Sequence, residues 1–255
     1  CPGKLMLNFR TANRYLLIFA VAALLLMIIN LQFGWLLLIL ALLYVYVLVR
    51  GAINIRLGFY LDVLCKGNTQ DKVAALTFDD GPDENHTLQI LHILQKQDVK
   101  AGFFIIGHKA EKNQEIVKKI HEAGHTIGNH SYSHAFFFDL FSRKKMEQDL
   151  FKTDQLIEKI TGSTSSFFRP PYGVTNPTVA KVVKKRGYKA VGWSVRSLDT
   201  VVQDEDKIVE RIMDRLQPGA VILMHDDREI TVRVLERIIL KINGEGYRFV
   251  GLEEI

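Results

Sequence analysis

The chain of 255 residues has little of several things that would place it in familiar classes. Its two cysteines, Cys1 and Cys65, lie outside the polar part of the chain, which excludes a disulfide framework and a thiolate zinc site. Acid is nearly missing from the first quarter: residues 1 to 66 carry Lys4, Arg10, Arg14, Arg50, Arg56 and Lys66 against Asp62 alone, a net of +5. The remainder is balanced, 27 basic against 27 acidic side chains, so the excess behind a pI near 9.1 flanks apolar sequence. No basic domain is left to follow a phosphate backbone, and nucleic acid is excluded as a partner. There is no internal repeat and no low-complexity tract. What is there, 48% hydrophobic residues over this length, fits one catalytic-sized domain with an appendage.

Charge is absent altogether from Tyr15 to Val49. One straight helix over that run would extend about 52 Å, well beyond a ~30 Å hydrocarbon core. Asn30-Leu31-Gln32-Phe33-Gly34 interrupts the run with polar side chains and a glycine, which predicts two helices, about 15–31 and 35–50, joined as a transmembrane hairpin. A signal peptide would need a small-residue cleavage site before the polar domain, and that domain needs no buried apolar hairpin. Residues 1–66 are therefore expected to form a membrane anchor and 67–255 the catalytic domain. Gly51 to Leu64 is expected along the membrane surface. Met6 is expected to be the initiating residue.

After Asp71 short apolar runs alternate with amphipathic stretches. Strands are predicted at 72–78, 102–107, 125–129, 165–168, 189–195, 220–224 and 247–252, and helices at 85–97, 109–123, 143–160, 177–186, 205–216 and 230–243. About seven strands separated by helices define an α/β fold, and a distorted parallel (β/α) barrel is favoured over an open doubly wound sheet. The preference rests on the reactive residues, which follow the C-terminal ends of the strands, the face on which barrel active sites are built.

Five clusters carry the chemistry. Asp79 and Asp80 are adjacent carboxylates at a strand end, an arrangement suited to one binding a cation while the other takes a proton. By itself the cluster reads first as an Asp-Asp-Gly-Pro surface turn. His130 and His134 in HSYSH, on a helical turn, would present two imidazoles to one metal, and Asp80 can supply the third ligand, leaving a position open for water. His86, His92, His108, His121 and His125 have no such company and are expected to be structural or exposed. In Arg169-Pro170-Pro171-Tyr172-Gly173 the prolines stiffen a loop whose amide could be held against a ligand, and Arg169 is expected to pair with Asp79. His225, at the end of another strand, is a general acid that Asp199 can orient.

In order and spacing, TFDDG, HSYSH, RPPYG, the aspartate of RSLDT, and LMH resemble the five motifs of the polysaccharide deacetylase family, the group built on the NodB homology domain. The likeness spans about residues 71 to 252. It implies a distorted (β/α) barrel holding one divalent metal, zinc foremost with cobalt, nickel or manganese as alternatives, that hydrolyses N-acetyl groups of amino-sugar polymers such as peptidoglycan or a chitin-like glycan, or in some members O-acetyl esters. It implies Asp79 as general base, Asp80, His130 and His134 as metal ligands, Arg169 as the residue orienting Asp79, and His225 as general acid held by Asp199. It further implies that Leu223 lines the acetyl pocket and that the Tyr172 amide stabilises the oxyanion.

The chain departs from the family's fourth motif, often Asp-x-x-Asp-Trp, by having Arg196 and Thr200 at the first and last positions. Thr offers no stacking surface for a sugar comparable to Trp. Two rival readings remain: an amide hydrolase acting on a lipid-linked sugar or small amide, and a catalytically silent glycan-binding protein. A metallopeptidase is disfavoured, because Ser131-Tyr132-Ser133 stands where a helical His-Glu-x-x-His has its glutamate. The expected partners are an acetylated glycan and the membrane, with no protein partner. The basic residues on both flanks of the hairpin point to cytoplasmic termini, the substrate points outward, and an extracytoplasmic catalytic domain is favoured.

Overall fold

The computed structural model describes residues 7–255; Cys1, Lys4 and the expected start at Met6 lie outside them. Helix α1 (Phe9–Ile29) begins at Asn8, whose side chain accepts from the Thr11 amide in a reciprocal capping box. It stops at Asn30, which turns the chain through a short 3-10 segment into α2 (Trp35–Ile53). At 21 and 19 residues, the helices are about 32 and 29 Å long, each sufficient for a hydrocarbon core. Their apolar side chains are largely exposed, including Leu17, Ile18, Ile28, Leu38 and Leu42. The Tyr44 hydroxyl donates to Asn13 across the hairpin.

The stretch after α2 is not a surface-lying segment. Ile55 and Phe59 are buried, and β1 (Val63–Leu64) pairs with β6 (Lys189–Val191), so the barrel sheet begins before the expected division at 66/67. The Phe59 ring packs on Gly51, where a Cβ would collide with it, which brings the end of α2 against the domain. Arg56 thereby belongs to a folded turn.

The remaining strands are β2 (Val73–Asp79), β3 (Ala101–Ile105), β4 (Thr126–Asn129), β5 (Phe167–Phe168), β7 (Val195–Arg196), β8 (Ala220–His225) and β9 (Arg248–Phe249). Among the described residues they form one parallel sheet in the order β1-β6-β5-β4-β3-β2-β8-β7, with β9 on β2. The ends of that order curl towards each other. Lys66 bridges to Ala220, the Gly192 amide donates to Leu64 O and the Ser194 amide to Val221 O, so the chain crosses the gap between β6 and β8.

The alternation of strand side chains sorts the sequence into two cores. Leu76, Phe78, Ile222 and Met224 point outward and pack under the helices α3 (Thr87–Lys96), α8 (Glu205–Met213) and α9 (Glu229–Gly244). Ala75, Phe104, Phe167, Val191, Val221 and Leu252 fill the barrel interior. On β2 and β8 the interior rows continue upward as Thr77-Asp79 and Leu223-His225, and the register sets Thr77 opposite Leu223 and Asp79 opposite His225. Helix α6 (Arg143–Thr161) and helix α7 (Pro177–Arg186) cover the other flank.

Two predicted elements are divided. The helix expected over 109–123 is α4 (Gly107–Lys112) and α5 (Gln114–Glu122), broken at Asn113, whose φ of −117° and ψ of 46° are not helical. The strand expected over 189–195 is interrupted at 192–194. A Cβ on Gly192 would stand 2.6 Å from Cys65 Sγ, and here the chain leaves β5 and β1 for β8.

Candidate metal and acid-base site

The C-terminal ends of β2, β4, β5 and β8 converge. Asp79 closes β2 inside the barrel, and Asp80 follows in a left-handed conformation, φ 72°, that turns its carboxylate away from its neighbour's. Like charges on adjacent residues are thereby given different partners.

Asp79 is buried and accepts from Arg169 Nη1 at 2.6 Å. Arg169, wholly enclosed, also donates to Thr77 Oγ1 at 3.0 Å, Val191 O at 3.2 Å and Gly192 O at 2.8 Å, and its guanidinium lies 4.0 Å from the centre of the Phe104 ring. Burial pulls its pKa down, and the Asp79 charge opposes this. The expected Arg169–Asp79 pair is present, and Thr77 is a further partner that the sequence reading missed.

His130 and His134 do not lie on a helical turn. They belong to an irregular loop in which Ser131 and His134 have positive φ, 66° and 44°. Polar anchors hold this shape: Asn129 Oδ1 accepts from the Ser131 amide, Asp149 from the amides of Tyr132 and Ser133, and Ser131 Oγ from the His134 amide. His108 Nδ1 also contacts Tyr132 O at 2.9 Å, a structural role, and His125 is another structural histidine, accepting from the Ala101 amide. The imidazoles still converge, with ring centres 4.8 Å apart. Backbone at such positive φ is held only where surroundings enforce it, at a cost of about 1–3 kcal/mol per residue. Among the described residues, the non-glycine residues with positive φ are Asp80, Asp98, Ser131, His134, Tyr172 and Leu198, and all but Asp98 lie in the site loops.

The residues present suit a metal ion. Asp80, His130 and His134 offer ligand atoms all within 4.8 Å of one another. Asp80 Oδ1 is buried without a hydrogen-bond partner, yet lies 3.5 Å from His130 Nε2 and 3.3 Å from His134 Nε2. His130 Nδ1–H donates to Arg169 O at 2.8 Å, which leaves Nε2 as the ligand nitrogen. Burial would raise the Asp80 pKa, but the neighbouring His130 imidazole, and after it those of His134 and His225, hold it well below the usual carboxylate range. His134 is pushed down to about 4 by burial and then by the His130 charge, so it is neutral at pH 7. Burial works against charge on His130, but Asp79 and Asp80 raise its pKa, the same field that favours a bound cation.

Across the barrel mouth, His225 is held by Asp199. Asp199 Oδ1 accepts from His225 Nδ1 at 2.8 Å and Oδ2 from the His225 amide at 2.7 Å. Ser197 Oγ and Thr231 Oγ1 donate to the same carboxylate at 2.8 and 2.7 Å, two contacts not legible from the motif. Burial would lower the His225 pKa, but the Asp199 hydrogen bond and charge raise it to about 9. Leu223 is buried one interior step below His225. Tyr172, φ 58°, packs its ring 4.8 Å from that of His134. Arg196 and Thr200 lie on β7 and just after Asp199, with Arg196 exposed and its guanidinium 5.9 Å from the centre of the Trp193 ring.

A curled parallel barrel carrying an Asp-His-His group between a buried carboxylate–guanidinium pair and a buried carboxylate–imidazole pair defines a metal-dependent hydrolase. The polysaccharide deacetylase profile matches residues 66–191. A peptidoglycan-N-acetylglucosamine deacetylase of Bacillus cereus is 35% identical over 72% of this chain and 88% of its own length. The solved structure of a peptidoglycan N-acetylglucosamine deacetylase in complex with a substituted N-oxidanyl-benzamide has a TM-score of 0.71 at 34% identity, over 74% of this chain and 90% of that one. A family 4 carbohydrate esterase pseudoenzyme from Bacillus anthracis superposes with a TM-score of 0.70 at 30% identity, over 74% and 67%. The chain belongs to the polysaccharide deacetylase family, whose members use a divalent metal.

Proposed function

We propose that the protein removes N-acetyl groups from an amino-sugar polymer of the peptidoglycan type, with zinc held by Asp80, His130 and His134, and that the α1–α2 hairpin tethers it to the membrane with the barrel domain that follows it on the extracytoplasmic side. The carrying observation is that the three ligand atoms cluster between Asp79, paired with Arg169 at 2.6 Å, and His225, paired with Asp199 at 2.8 Å. The names of the relatives support the substrate class, and peptidoglycan lies outside the membrane.

Zinc, when bound, polarises the acetyl carbonyl and acidifies the attacking water. Asp79 takes the proton as water attacks the acetyl carbon, with its carboxylate held in place by Arg169. The tetrahedral oxyanion receives the Tyr172 amide, a donor of a kind typically worth ~2.7–4 kcal/mol. His225, protonated below about pH 9, donates its proton to the departing sugar nitrogen, and Asp199 fixes the ring for that transfer. Leu223 bounds the pocket for the acetyl methyl group.

The test is acetate release by the purified full chain, with zinc added or chelated, on N-acetylglucosamine oligomers, peptidoglycan and acetylated xylan. Zinc-dependent release from the first two, lost in Asp79→Asn with zinc affinity retained, is expected. Wild-type zinc affinity in His130→Ala would overturn the ligand assignment, and no release from any polymer would overturn the activity. A cysteine introduced at Ser163 and labelled from outside intact cells checks the topology.

A further inference from the structure

The loop between His134 and α6 presents apolar rings to solvent. Phe136, Phe137 and Leu140 are 72%, 61% and 71% exposed, whereas Phe138 in the same turn is 1% exposed. They adjoin the site: Phe136 packs 4.8 Å from Phe137 and 5.7 Å from Tyr172, whose ring lies against His134. A row of aromatic rings thus leads from a metal-site imidazole to an exposed apolar lip.

The lip is also tied to the end of the apolar hairpin. The Thr175 amide donates to Ala52 O, in the last turn of α2, at 3.0 Å. The next residue, Asn176, donates through Nδ2 to Asp139 O at 2.6 Å, between Phe137 and Leu140. Two hydrogen bonds therefore set the lip beside the point where α2 ends. Lys144 and Lys145 follow it, exposed, with Lys145 Nζ 3.6 Å from the Phe141 ring centre. Aromatic and aliphatic side chains next to lysines are the composition of a segment seated at a lipid interface.

We infer that Phe136, Phe137 and Leu140 insert into the same bilayer surface from which α2 emerges, so that the catalytic mouth opens onto the membrane and takes acetylated amino-sugar chains held there, as in lipid-linked oligosaccharides. The inference rests on the reading of α1 and α2 as a membrane hairpin. A short reach explains how the site can do without an aromatic wall at Thr200: the substrate's position is fixed by its own lipid anchor, and less of it has to be gripped by stacking.

The full chain is placed in nanodiscs of phosphatidylglycerol and phosphatidylethanolamine. Leu140→Cys, in a Cys1→Ser, Cys65→Ser background, carries an environment-sensitive NBD label. Blue-shifted emission quenched by spin-labelled lipid is expected; an aqueous spectrum overturns the inference. In parallel, the triple variant Phe136→Ser, Phe137→Ser, Leu140→Ser is assayed on a lipid-linked N-acetylglucosamine oligomer in the same nanodisc and on a free oligomer. A fall of about tenfold or more on the first with the free oligomer unaffected supports the lip. Equal losses on both would make it a sugar-stacking platform and overturn the proposal, with unchanged zinc titration showing that the variant is folded. Alkaline carbonate separates the two readings. If it strips the wild-type chain from vesicles, the hairpin reading fails and the lip with it; if the chain stays while the label remains aqueous, only the lip fails.

Discussion

Replacing Arg169 by methionine tests the enclosed ion pair at the centre of the site. Methionine keeps the apolar stem that fills the interior beside Phe104 but removes the charge and every donor. Asp79 would remain in its buried place with its close partner gone and only His130 Nε2, 3.8 Å from Oδ2, facing it, and Val191 O and Gly192 O would each lose a hydrogen bond. Breaking a buried pair from one side costs about 3–5 kcal/mol, well above what a surface pair contributes. For a domain of this size each kcal/mol moves the unfolding midpoint by about 2–4 °C, so Arg169→Met should lower it by at least about 6 °C. Thermal unfolding is followed with chelator present, so that a change in metal binding does not add to the effect. Asp79→Asn strands the guanidinium instead, but Thr77 and the two carbonyls still accept from it. The double variant should therefore be at least about 1 kcal/mol more stable than the sum of the single changes predicts. A midpoint shift below about 2 °C, or strict additivity, would refute the reasoning.

The pH dependence of kcat/KM should show an alkaline limb near 9, because His225 is protonated below its raised pKa of about 9 and loses its proton as pH rises through it. Asp199→Asn removes the carboxylate charge next to the ring, leaving burial, which lowers that pKa, against the weaker pull of Asp79 and Asp80. The limb should then move to or below the ordinary histidine range near ~6.5, and an unmoved limb would show that another group is the acid. Gly81→Ala should destabilise the fold by about 1–3 kcal/mol in urea titrations and weaken binding of a divalent metal. Its new Cβ would run into the Asp226 carboxylate, which is buried, pushed up to about 7, and bonded to Thr87 Oγ1 at 2.7 Å, so Asp80 next door has to shift. Wild-type stability and affinity in that variant would contradict the packing described.

Much of the fold was legible because local patterns decide it. The charge-free run from Tyr15 to Val49 and its polar break foretold the α1–α2 hairpin, and α7 falls on the predicted 177–186. The errors lie where tertiary contacts override local preference. The 51–64 stretch read as an interfacial segment because Ile55 and Phe59 look like membrane-facing residues until the domain buries them. The 189–195 run read as one strand because nothing local says that it changes neighbours at Gly192.

The sequence by itself determined which chemical groups the protein owns, Asp79, Asp80, His130, His134, Arg169, Asp199 and His225, and their place after apolar strands. Only the tertiary structure decided how they are aimed. Helical spacing was the natural reading of His130 and His134, but a loop pinned by Asn129, Asp149 and Ser131 brings their rings together at left-handed φ. Thr77 holds Arg169 from 92 residues away along the chain, and Ser197 and Thr231 hold Asp199 from up to 32 residues away. The parallel β2–β8 register sets Asp79 opposite His225. Side-chain identity is a local property of the chain, whereas hydrogen-bond partners and distances follow from which distant segments the buried cores force together.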